Sequence, residues 1–368
     1  MSLNQYKKKK IAFVIGALTP GGAERVISTL SNGLIDDFDV TIITFKKSKP
    51  FYRLDERIQV ISCFDKIDKP KSFLGSLKLN YDILKKVTSI VKSEQIDLLI
   101  GFITSANIIA TLAAKRNGIP SLISERNDPL KKDIPRFWLI LRKLVYPKSD
   151  NLIVQTEKVK AIYTNMLNHK NITVLPNPIS SDLSQLRKNE AKREKIILTV
   201  GRLNNDKRQD KLIKAVNELK LEGWKVIIIG KGPNKDKLNN LIESLNLSDQ
   251  IEILSNIKNI HDYYMKASIF VFTSKAEGFP NALLEAMHFG LPCISTDCNY
   301  GPSDLITDGK DGFLVPVNDQ SILVKKIDEL IKDDKLKAQF SINAIETSLN
   351  YTSKKVTEKW KNVINQHF

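Results

Sequence analysis

The chain has 368 residues, a hydrophobic fraction of 42% and three cysteines, Cys63, Cys293 and Cys298. This length exceeds what one ordinary hydrophobic core supports, and it favours two domains of about 150–200 residues each. Three cysteines exclude a disulfide framework, and their odd number favours a reducing compartment.

The net charge of +16 is unevenly distributed, because residues 1–180 contain 29 Lys and Arg against 16 Asp and Glu. A basic first half indicates an anionic partner, which could be lipid headgroups, a pyrophosphate-bearing substrate or nucleic acid. A lysine-rich surface that only keeps the protein soluble explains the same charge. Nucleic acid is the least favoured partner, because the sequence has neither a recognition motif nor interleaved aromatic and basic residues.

Short β-branched runs alternate with amphipathic helical stretches in the first half, which is typical of βαβ units and a parallel sheet. Lys7–Leu18 imitates a signal peptide but has no convincing cleavage site, and a first strand explains it more simply. Leu98–Ala114 divides into a strand and a helix, so no transmembrane helix is predicted. The predicted strands are Ile11–Gly16, Val40–Phe45, Ile58–Ser62, Leu98–Phe102, Ser121–Ser124, Leu152–Gln155 and Thr173–Leu175.

A second alternating series follows Pro176-Asn-Pro178 and the polar stretch Ser180–Glu194, which predict a connection between domains. The predicted fold is α/β, with two tandem Rossmann-like domains over residues 1–180 and 181–350 and a closing helix over 351–368. Ligands of open α/β sheets bind outside the carboxyl ends of the strands, so we expect a ligand in a cleft between the domains. The predicted strands of this series are Ile196–Val200, Val226–Ile229, Ile251–Leu254, Ile269–Thr273, Cys293–Thr296 and Phe313–Val315.

The segment Glu277-Gly-Phe-Pro-Asn-Ala-Leu-Leu-Glu285 follows a predicted strand and leads into an apolar helix. Pro280 suits the first helical position, because its missing N–H would have no intrahelical partner there. The free N–H groups of a helix start bind anions readily, and the two carboxylates can bind hydroxyl groups. This combination predicts a ligand that is both phosphorylated and rich in hydroxyls, such as a nucleotide sugar.

Three further loops at strand ends carry glycine or basic residues. Gly201-Arg202 and Lys207 follow a strand and precede a helix, and together they could hold a diphosphate. Gly230 and Gly232 form a turn that admits a nucleotide base or is merely structural, because the rest of a dinucleotide fingerprint is missing. The loop Gly16–Gly22 lacks the ending of a P-loop, but its glycines permit close approach of a phosphate or sugar.

Together these motifs resemble glycosyltransferase family 4, whose members are retaining enzymes of GT-B architecture. The resemblance covers nearly the whole chain and is most specific over residues 196–318. It implies that the second domain binds a nucleotide-sugar donor, with UDP as the favoured nucleotide, and that the first domain binds the acceptor. Further matching segments are Gly21-Gly22-Ala-Glu-Arg, Ser124-Glu125, Asn299-Tyr-Gly-Pro302 and Asp308-Gly-Lys-Asp-Gly-Phe-Leu-Val315.

The resemblance also implies roles for individual residues. Glu277 would contact the transferred sugar, and Arg202 and Lys207 would hold the diphosphate, which makes these three the candidate catalytic residues. Glu285 would bind the ribose hydroxyls. The residues that it implies in donor binding are Gly21, Gly22, Gly201, Gly230, Gly232, Gly278, Phe279, Pro280, Asn281, Leu284 and Glu285.

One position departs from the family pattern. Many members carry a histidine directly after the Ser-Glu pair, and here that residue is Arg126. Glu125 and Arg126 are therefore candidate contacts of the sugar or the acceptor, unless the contact made by that histidine is lost. No metal or cofactor beyond the nucleotide sugar is expected, because the cations are side chains. Asp37-Phe-Asp39 has the form of a metal-binding DxD motif, but it precedes a strand and lies away from the predicted cleft.

The first domain contains two basic amphipathic stretches, Lys66–Lys92 and Lys131–Lys148. Such helices lie in a membrane interface, or they pack on the core with a solvated basic face. We expect a glycan or polyprenyl-pyrophosphate-linked acceptor and a cytoplasmic enzyme in peripheral contact with anionic lipid at the inner face of the cell membrane. The expected reaction is transfer of a hexose or N-acetylhexosamine in bacterial polysaccharide assembly. A sugar-nucleotide epimerase of the same fold is the alternative.

Overall fold

The computed structural model describes residues 8–68, 70–126, 128–130, 135–188 and 192–368. Its strands are β1 (Lys10–Ile15), β2 (Asp39–Lys46), β3 (Gln59–Phe64), β4 (Leu98–Phe102), β5 (Ser121–Ser124), β6 (Asn151–Val154), β7 (Ile172–Val174), β8 (Ile196–Val200), β9 (Lys225–Ile229), β10 (Ile251–Leu254), β11 (Ile269–Phe272), β12 (Cys293–Thr296) and β13 (Phe313–Val315). Its α-helices are α1 (Gly22–Leu34), α2 (Phe73–Ser93), α3 (Thr104–Asn117), α4 (Arg136–Val145), α5 (Glu157–Met166), α6 (Ser181–Gln185), α7 (Gln209–Leu219), α8 (Lys235–Ser244), α9 (Ile260–Lys266), α10 (Asn281–His288), α11 (Pro302–Leu305), α12 (Gln320–Lys332), α13 (Asp334–Ser348) and α14 (Ser353–Asn365). Short 3-10 helices cover Tyr146–Lys148 and Leu349–Tyr351.

The chain divides into two compact units. The first comprises the described residues up to Ser180 together with Ser353–Phe368, and the second comprises Ser181–Thr352. The C-terminal helix α14 belongs to the first unit, where Trp360 is fully buried and stacks on Phe102 with ring centroids 5.8 Å apart. This helix therefore completes the hydrophobic core of the first unit.

The first unit is built on a seven-stranded parallel sheet in the order β3-β2-β1-β4-β5-β6-β7. Successive residues of a strand point to opposite faces, so Ile11, Phe13 and Ile15 join the core that contains residues of α1 and α14. Ala12 and Val14 join the core that contains residues of α2 and α3. Helices cover both faces, which explains why the strands are continuous apolar runs.

The second unit is built on a six-stranded parallel sheet in the order β10-β9-β8-β11-β12-β13. The strand order reverses between β8 and β11, and open α/β sheets bind ligands at the carboxyl ends of the strands beside such a reversal. The loops over residues 201–208 and 273–280, which follow these two strands, therefore lie at the switch point.

The α/β class and the two parallel sheets predicted from the sequence are confirmed. Each predicted strand is present, and its ends differ from the prediction by at most two residues. Within the described ranges, the longest and most apolar helices still fall short of what crossing a bilayer requires.

Candidate functional site

Three loops meet at the carboxyl edge of the sheet in the second unit. The loop after β8, residues 201–208, is held on one side by the loop after β9, because Leu203 N donates to Lys231 O at 3.1 Å. On its other side lies the loop after β11, from which Lys275 N donates to Asp206 O at 2.8 Å. The backbone of the loop that carries the candidate catalytic cations is thus fixed by both neighbours.

Gly230 and Gly232 pack against this loop too closely for any side chain. A Cβ on Gly230 would lie 1.9 Å from Gly201 O, and a Cβ on Gly232 would lie 2.2 Å from Leu203 O. Both oxygens belong to the backbone and have little freedom to move, so these positions require glycine. The structure gives the pair a packing function, and its contact with a nucleotide base stays a prediction.

Lys207 and Glu277 form a partly buried ion pair at the switch point. Lys207 Nζ donates a hydrogen bond to Glu277 Oε1, and the two side chains are 21% and 7% exposed. The Nζ atom also lies 5.0 Å from the ring centroid of Phe272, and Lys207 O accepts a hydrogen bond from Thr273 Oγ1 at 2.9 Å. Because water screens this pair less than a surface pair, the two charges attract each other more strongly.

Arg202, the third candidate catalytic residue, presents an exposed side chain from the same loop. Gln209 Nε2 donates to Arg202 O at 3.1 Å, which fixes the backbone. The guanidinium has no hydrogen-bond or ion-pair partner among the residues that the structure describes. A guanidinium without a counter-ion offers a planar fork of donors to phosphate oxygens.

The helix α10 carries the second carboxylate of the motif. Pro280 is the N-cap of this helix, with φ −84° and ψ 76°, so its predicted place at the first helical position is wrong by one residue. Gly301, with φ 99°, packs so closely on Pro280 that a Cβ would lie 2.3 Å from Pro280 Cδ. Glu285 is 5% exposed, and its Oε2 accepts a hydrogen bond from Tyr264 Oη at 3.1 Å.

The remaining predicted donor-binding residues of this segment differ in exposure. Phe279 and Leu284 are buried, and the ring of Phe279 lies 6.1 Å from that of Tyr351. Gly278 and Asn281 are partly exposed. The two apolar side chains therefore hold the segment in place, while its backbone and Asn281 are the groups accessible from solvent.

Glu125 lies at the carboxyl end of β5 in the first unit and is 1% exposed. Its Oε2 accepts hydrogen bonds from Thr104 Oγ1 at 2.9 Å and from Tyr146 Oη at 2.7 Å. Thr104 begins α3 and follows Ile103, a β-branched residue with φ 73° and ψ 151°. This backbone conformation is strained for isoleucine, and it brings the start of α3 to the carboxylate, where a helix N-terminus stabilises negative charge.

Arg126 is 8% exposed and is held by neutral partners. Its Nε donates to Ser124 Oγ at 2.7 Å, and its Nη1 donates to Asn177 Oδ1 at 2.6 Å. The guanidinium carbon lies 5.1 Å and 5.6 Å from the ring centroids of Phe102 and Trp360. Burial lowers the pKa of Arg126 to about 9, against the opposing effect of the charge on Glu125.

The Nη2 atom of Arg126 is buried without a hydrogen-bond partner in the described part of the chain. The side chain ties together the end of β5, the segment that leaves the first unit and the helix α14 that returns to it. A sugar or acceptor contact by Arg126 or Glu125 stays a prediction, and both side chains have a structural function in the first unit.

Gly21 and Gly22 lie in the first unit, at the start of α1. A Cβ on Gly21 would lie 2.1 Å from Glu24 Oε2, so the carboxyl group of Glu24 folds back over this glycine. Burial is the main cause that raises the pKa of Glu24. The position at which the sequence predicts a phosphate or sugar is thus covered by a carboxyl group.

Four side chains that hold the predicted site residues were not identified from the sequence. Thr104 and Tyr146 bind Glu125, Asn177 binds Arg126, and Tyr264 binds Glu285. Each lies at least 20 residues from its partner along the chain, so no local motif connects the pair. Asn177 alone had a local marker, since it stands between Pro176 and Pro178.

The DxD-like segment lies at the opposite edge of its sheet from the carboxyl ends. Asp39 begins β2, and Asp37 Oδ1 forms an ion pair with Lys361 Nζ of α14 at 2.6 Å. Across the described ranges, no group of three or more His, Cys, Asp or Glu side chains is arranged to hold a metal ion.

Two family models match consecutive parts of the chain. Residues 20–183 match the model described as Glycosyltransferase Family 4, and residues 182–347 match the model described as Glycosyl transferases group 1. Together they cover residues 20–347, which include every strand of the two sheets except β1.

Two proteins of Campylobacter jejuni align over nearly the whole chain. A GalNAc-alpha-(1->4)-GalNAc-alpha-(1->3)-diNAcBac-PP-undecaprenol alpha-1,4-N-acetyl-D-galactosaminyltransferase is 29% identical over 96% of this chain and 98% of its own. An N-acetylgalactosamine-N,N'-diacetylbacillosaminyl-diphospho-undecaprenol 4-alpha-N-acetylgalactosaminyltransferase is 30% identical over 91% of this chain and 94% of its own. Among solved structures, TarM of S. aureus aligns over 99% of this chain and 100% of its own, with a TM-score of 0.81 and 18% identity, which shows a shared fold.

His288 lies three residues after Glu285 on α10 and is 3% exposed. Its Nδ1 is 3.1 Å from Ser348 Oγ, and Nη1 of Arg187 donates to His288 O at 3.3 Å. Burial, followed by the positive charge of Arg187, lowers the pKa of His288 from 6.5 to about 4. The folded protein therefore keeps this imidazole neutral where the unfolded chain protonates it.

We predict that acidification destabilises the second unit through His288. Because the folded-state pKa lies below the unfolded value, stability is full above pH 6.5 and is lost as pH falls towards 4. The loss between pH 7 and pH 5 amounts to ~2 kcal/mol in the free energy of unfolding. In urea titrations at these two pH values, the free energy of unfolding of His288→Gln should fall by about this amount less than that of the parent. The control His261→Gln should show the same fall as the parent. A His288→Gln protein as pH-sensitive as the parent would contradict the assignment.

Proposed function

The chain belongs to glycosyltransferase family 4, and we propose that it transfers a hexose or N-acetylhexosamine from a UDP-sugar to a glycan on a lipid pyrophosphate. Membership makes the enzyme a glycosyltransferase rather than a sugar-nucleotide epimerase. The two relatives from C. jejuni are named for acceptors linked to undecaprenol through a diphosphate. TarM, which shares the fold, has been crystallised as a variant in complex with UDP.

The observation that carries the proposal is the grouping of Arg202, Lys207 and Glu277 at the carboxyl edge of the second sheet. Arg202 has no side-chain partner among the described residues, and Lys207 is paired with a carboxylate that leads into α10. A diphosphate suits this arrangement, because a guanidinium and an ammonium can share its oxygens. A sugar attached to that diphosphate would then lie near Glu277, whose carboxylate accepts hydrogen bonds from hydroxyl groups.

Glu285 has the role of binding the ribose hydroxyls in this proposal. Its Oε2 already accepts a hydrogen bond from Tyr264, which orients the carboxylate before any ligand arrives. A preoriented acceptor lowers the entropic cost of binding. Tyr264 is therefore a positioning residue for the nucleoside, and its fully buried ring fixes the direction of the hydroxyl group.

In the proposed reaction, the bond between the anomeric carbon and the diphosphate oxygen breaks, and a bond from an acceptor hydroxyl oxygen to the anomeric carbon forms. The departing diphosphate gains negative charge, which Arg202 and Lys207 stabilise, and a diphosphate oxygen takes the proton of the acceptor hydroxyl. Each well-placed donor contributes roughly 3–4 kcal/mol to the transition state in such sites. Side chains supply both positive charges, so we propose that no metal ion takes part.

We propose retention of the anomeric configuration through attack on the face that the leaving group vacates. Both relatives from C. jejuni are named for alpha linkages. In UDP-sugars of the galactose and glucose series, the bond from the anomeric carbon to the diphosphate is itself alpha. An alpha-linked product would therefore preserve the configuration. The carboxylate of Glu277 is paired with Lys207, which favours a role in orientation over one as a covalent nucleophile.

We propose that the first unit binds the acceptor and that the enzyme works at the cytoplasmic face of the cell membrane, in contact with anionic lipid. The support for this is the basic charge of residues 1–180 and the lipid-linked acceptors for which the relatives are named. In this unit, Gly21 and Gly22 are candidate contacts for the donor, and Glu125 and Arg126 are candidate contacts for the sugar or the acceptor. Bacterial polysaccharide assembly is the setting that fits this chemistry.

The reaction can be tested by incubating the full chain with a panel of UDP- and GDP-sugars and undecaprenyl-pyrophosphate-linked glycans in the presence of EDTA. We expect the acceptor mass to increase by one hexose or N-acetylhexosamine with one UDP-sugar, and the proton spectrum of the product to show an alpha linkage. A requirement for a divalent metal would contradict the proposed role of the side-chain cations. Conversion of the donor without any glycosylated product would contradict the transferase assignment.

Arg202→Ala and Lys207→Ala should each lower kcat by on the order of a hundredfold, because each removes one donor to the leaving diphosphate. Rates should be measured at saturating donor and acceptor by the mass assay above. Lys214→Ala, which removes an exposed cation from α7 in the same unit, serves as the matched control and should retain the parent rate. Near-parental rates in both site variants would refute this assignment.

A further inference from the structure

Exposed apolar side chains are concentrated on one part of the first unit. Half of the exposed large hydrophobic residues in the described ranges lie between residues 73 and 144. They are Phe73, Leu74, Tyr81, Leu130, Ile140 and Leu144, with exposed fractions between 56% and 76%. A concentration of this kind on a water-soluble surface indicates an interaction site.

The helix α4 presents a stripe that mixes apolar and basic side chains. Arg136, Ile140, Lys143 and Leu144 are all exposed, and their spacing puts them on one face of the helix. The opposite face is anchored, since Arg142 and Val145 are buried. The exposure of Ile140 and Leu144 is therefore not the result of a loosely attached helix.

The helix α2 presents a second stripe of the same composition. Leu74, Lys78, Tyr81 and Lys85 are exposed and recur at intervals of four, three and four residues, again on one helical face. Residues Ile83, Leu84, Val87 and Val91 bury the other side of this helix against the core. Each stripe thus alternates large apolar groups with cations.

The two helices meet at their N-terminal ends. The rings of Phe73 on α2 and Phe137 on α4 contact edge to face, with centroids 5.6 Å apart. Leu74 is next to this contact in the chain, and Ile140 lies within one helical turn of it. We define the α2–α4 surface as the exposed residues Phe73, Leu74, Lys78, Tyr81, Lys85, Arg136, Ile140, Lys143 and Leu144.

Charge identifies what covers this surface. The helix α2 contains four lysines and one aspartate, and α4 contains three cations and no acidic residue. A second copy of the same surface would place like charges opposite each other, which disfavours self-association. Nucleic acid would neutralise the cations but leave the leucine and isoleucine side chains exposed to water. An anionic bilayer takes up both, because headgroups pair with lysine and arginine while apolar side chains enter the acyl boundary.

We propose that the α2–α4 surface docks the enzyme on anionic phospholipid, with Leu74, Ile140 and Leu144 inserted and the cations at headgroup level. This inference rests on the proposed function and deepens it, because it names the residues through which the first unit contacts anionic lipid. The basic stretches predicted from the sequence include residues 69 and 131–134, which lie outside the described residues. The α2–α4 surface does not include them.

Docking can be tested by sedimentation of the full chain with vesicles of phosphatidylglycerol and phosphatidylcholine, compared with vesicles of phosphatidylcholine alone. Leu74→Glu and Ile140→Glu should each lower the partition coefficient on the anionic vesicles by on the order of tenfold, because each exchanges an inserted apolar group for a repelled charge. The matched control is Ile342→Glu on α13 of the second unit. Its parent isoleucine is 63% exposed against 59% for Ile140, and the control should bind like the parent.

The lysines give an independent test. Lys78→Gln and Lys143→Gln should each weaken binding about fivefold at low salt, corresponding to about 1 kcal/mol per cation near an anionic surface, with a smaller difference at high salt. Lys335→Gln, an exposed lysine of α13, is the control and should leave binding unchanged. Equal binding of the site and control variants would overturn the proposal.

Two further outcomes separate this proposal from others. If Ile140→Glu changes the molar mass in light scattering and leaves vesicle binding intact, the surface joins two copies of the chain and the proposal is wrong. Donor consumption should be measured in parallel with a short-chain acceptor that is soluble in water. If vesicle binding depends on the α2–α4 surface but the protein transfers no sugar, the proposed function alone is refuted. If the protein transfers sugar but the surface variants bind vesicles like the parent, the docking alone is refuted.

Discussion

The ion pair between Lys207 and Glu277 joins the two loops on which the candidate donor site is built. Each side chain comes from a loop at the carboxyl edge of the second sheet, one after β8 and one after β11, and the strand order reverses between these strands. The pair therefore forms only when both loops are in place. It also aligns the Glu277 carboxylate at low exposure, where an unpaired charge would be costly. A diphosphate that binds Lys207 would weaken the attraction between Lys207 and Glu277. Donor binding and the position of Glu277 are therefore linked.

Two further buried carboxylates, Glu125 and Glu285, are held by hydrogen bonds. Glu125 and Glu285 are almost fully buried, and each accepts a hydrogen bond from a tyrosine hydroxyl that is itself inaccessible to water. These tyrosines, Tyr146 and Tyr264, fix the orientation of the two carboxylates through their hydroxyl groups. Rigid placement of this kind is what a transferase requires, since its catalysis consists mainly of positioning and of stabilising charge on a leaving group.

The sequence predicted the fold class well because its signals are local. The strand Ile269–Phe272 is a short run of large apolar residues, and the alternation of such runs with helical stretches is sufficient to indicate two parallel sheets. The motif around Glu277 and Glu285 was found because its strand, turn and helix are consecutive. The tyrosine partners of the buried carboxylates were not found. Tyr264, which binds Glu285, and Tyr146, which binds Glu125, are ordinary residues of helical segments until folding brings them to a carboxylate.

Arg126 illustrates the limit of local reasoning most clearly. Its position after Glu125 suggested a ligand contact, and in the structure its guanidinium lies between Ser124, Asn177 and the rings of Phe102 and Trp360. Trp360 joins this group from the far end of the chain, a distance that no local pattern covers. The predicted place of Pro280 was wrong by one residue, because the residue type alone does not fix where the first turn of a helix begins.

The most direct test of the central claim is calorimetric titration of UDP and of uridine into the full chain in the presence of EDTA, repeated with Lys207→Ala. We expect UDP to bind the parent saturably without metal and to bind Lys207→Ala more weakly, on the order of tenfold or more, because one charge-assisted contact to the diphosphate is lost. Uridine, which has no diphosphate, should bind the variant and the parent equally. If UDP binds the variant as tightly as the parent, or binds only when a divalent metal is added, Lys207 does not hold the diphosphate and the account is wrong.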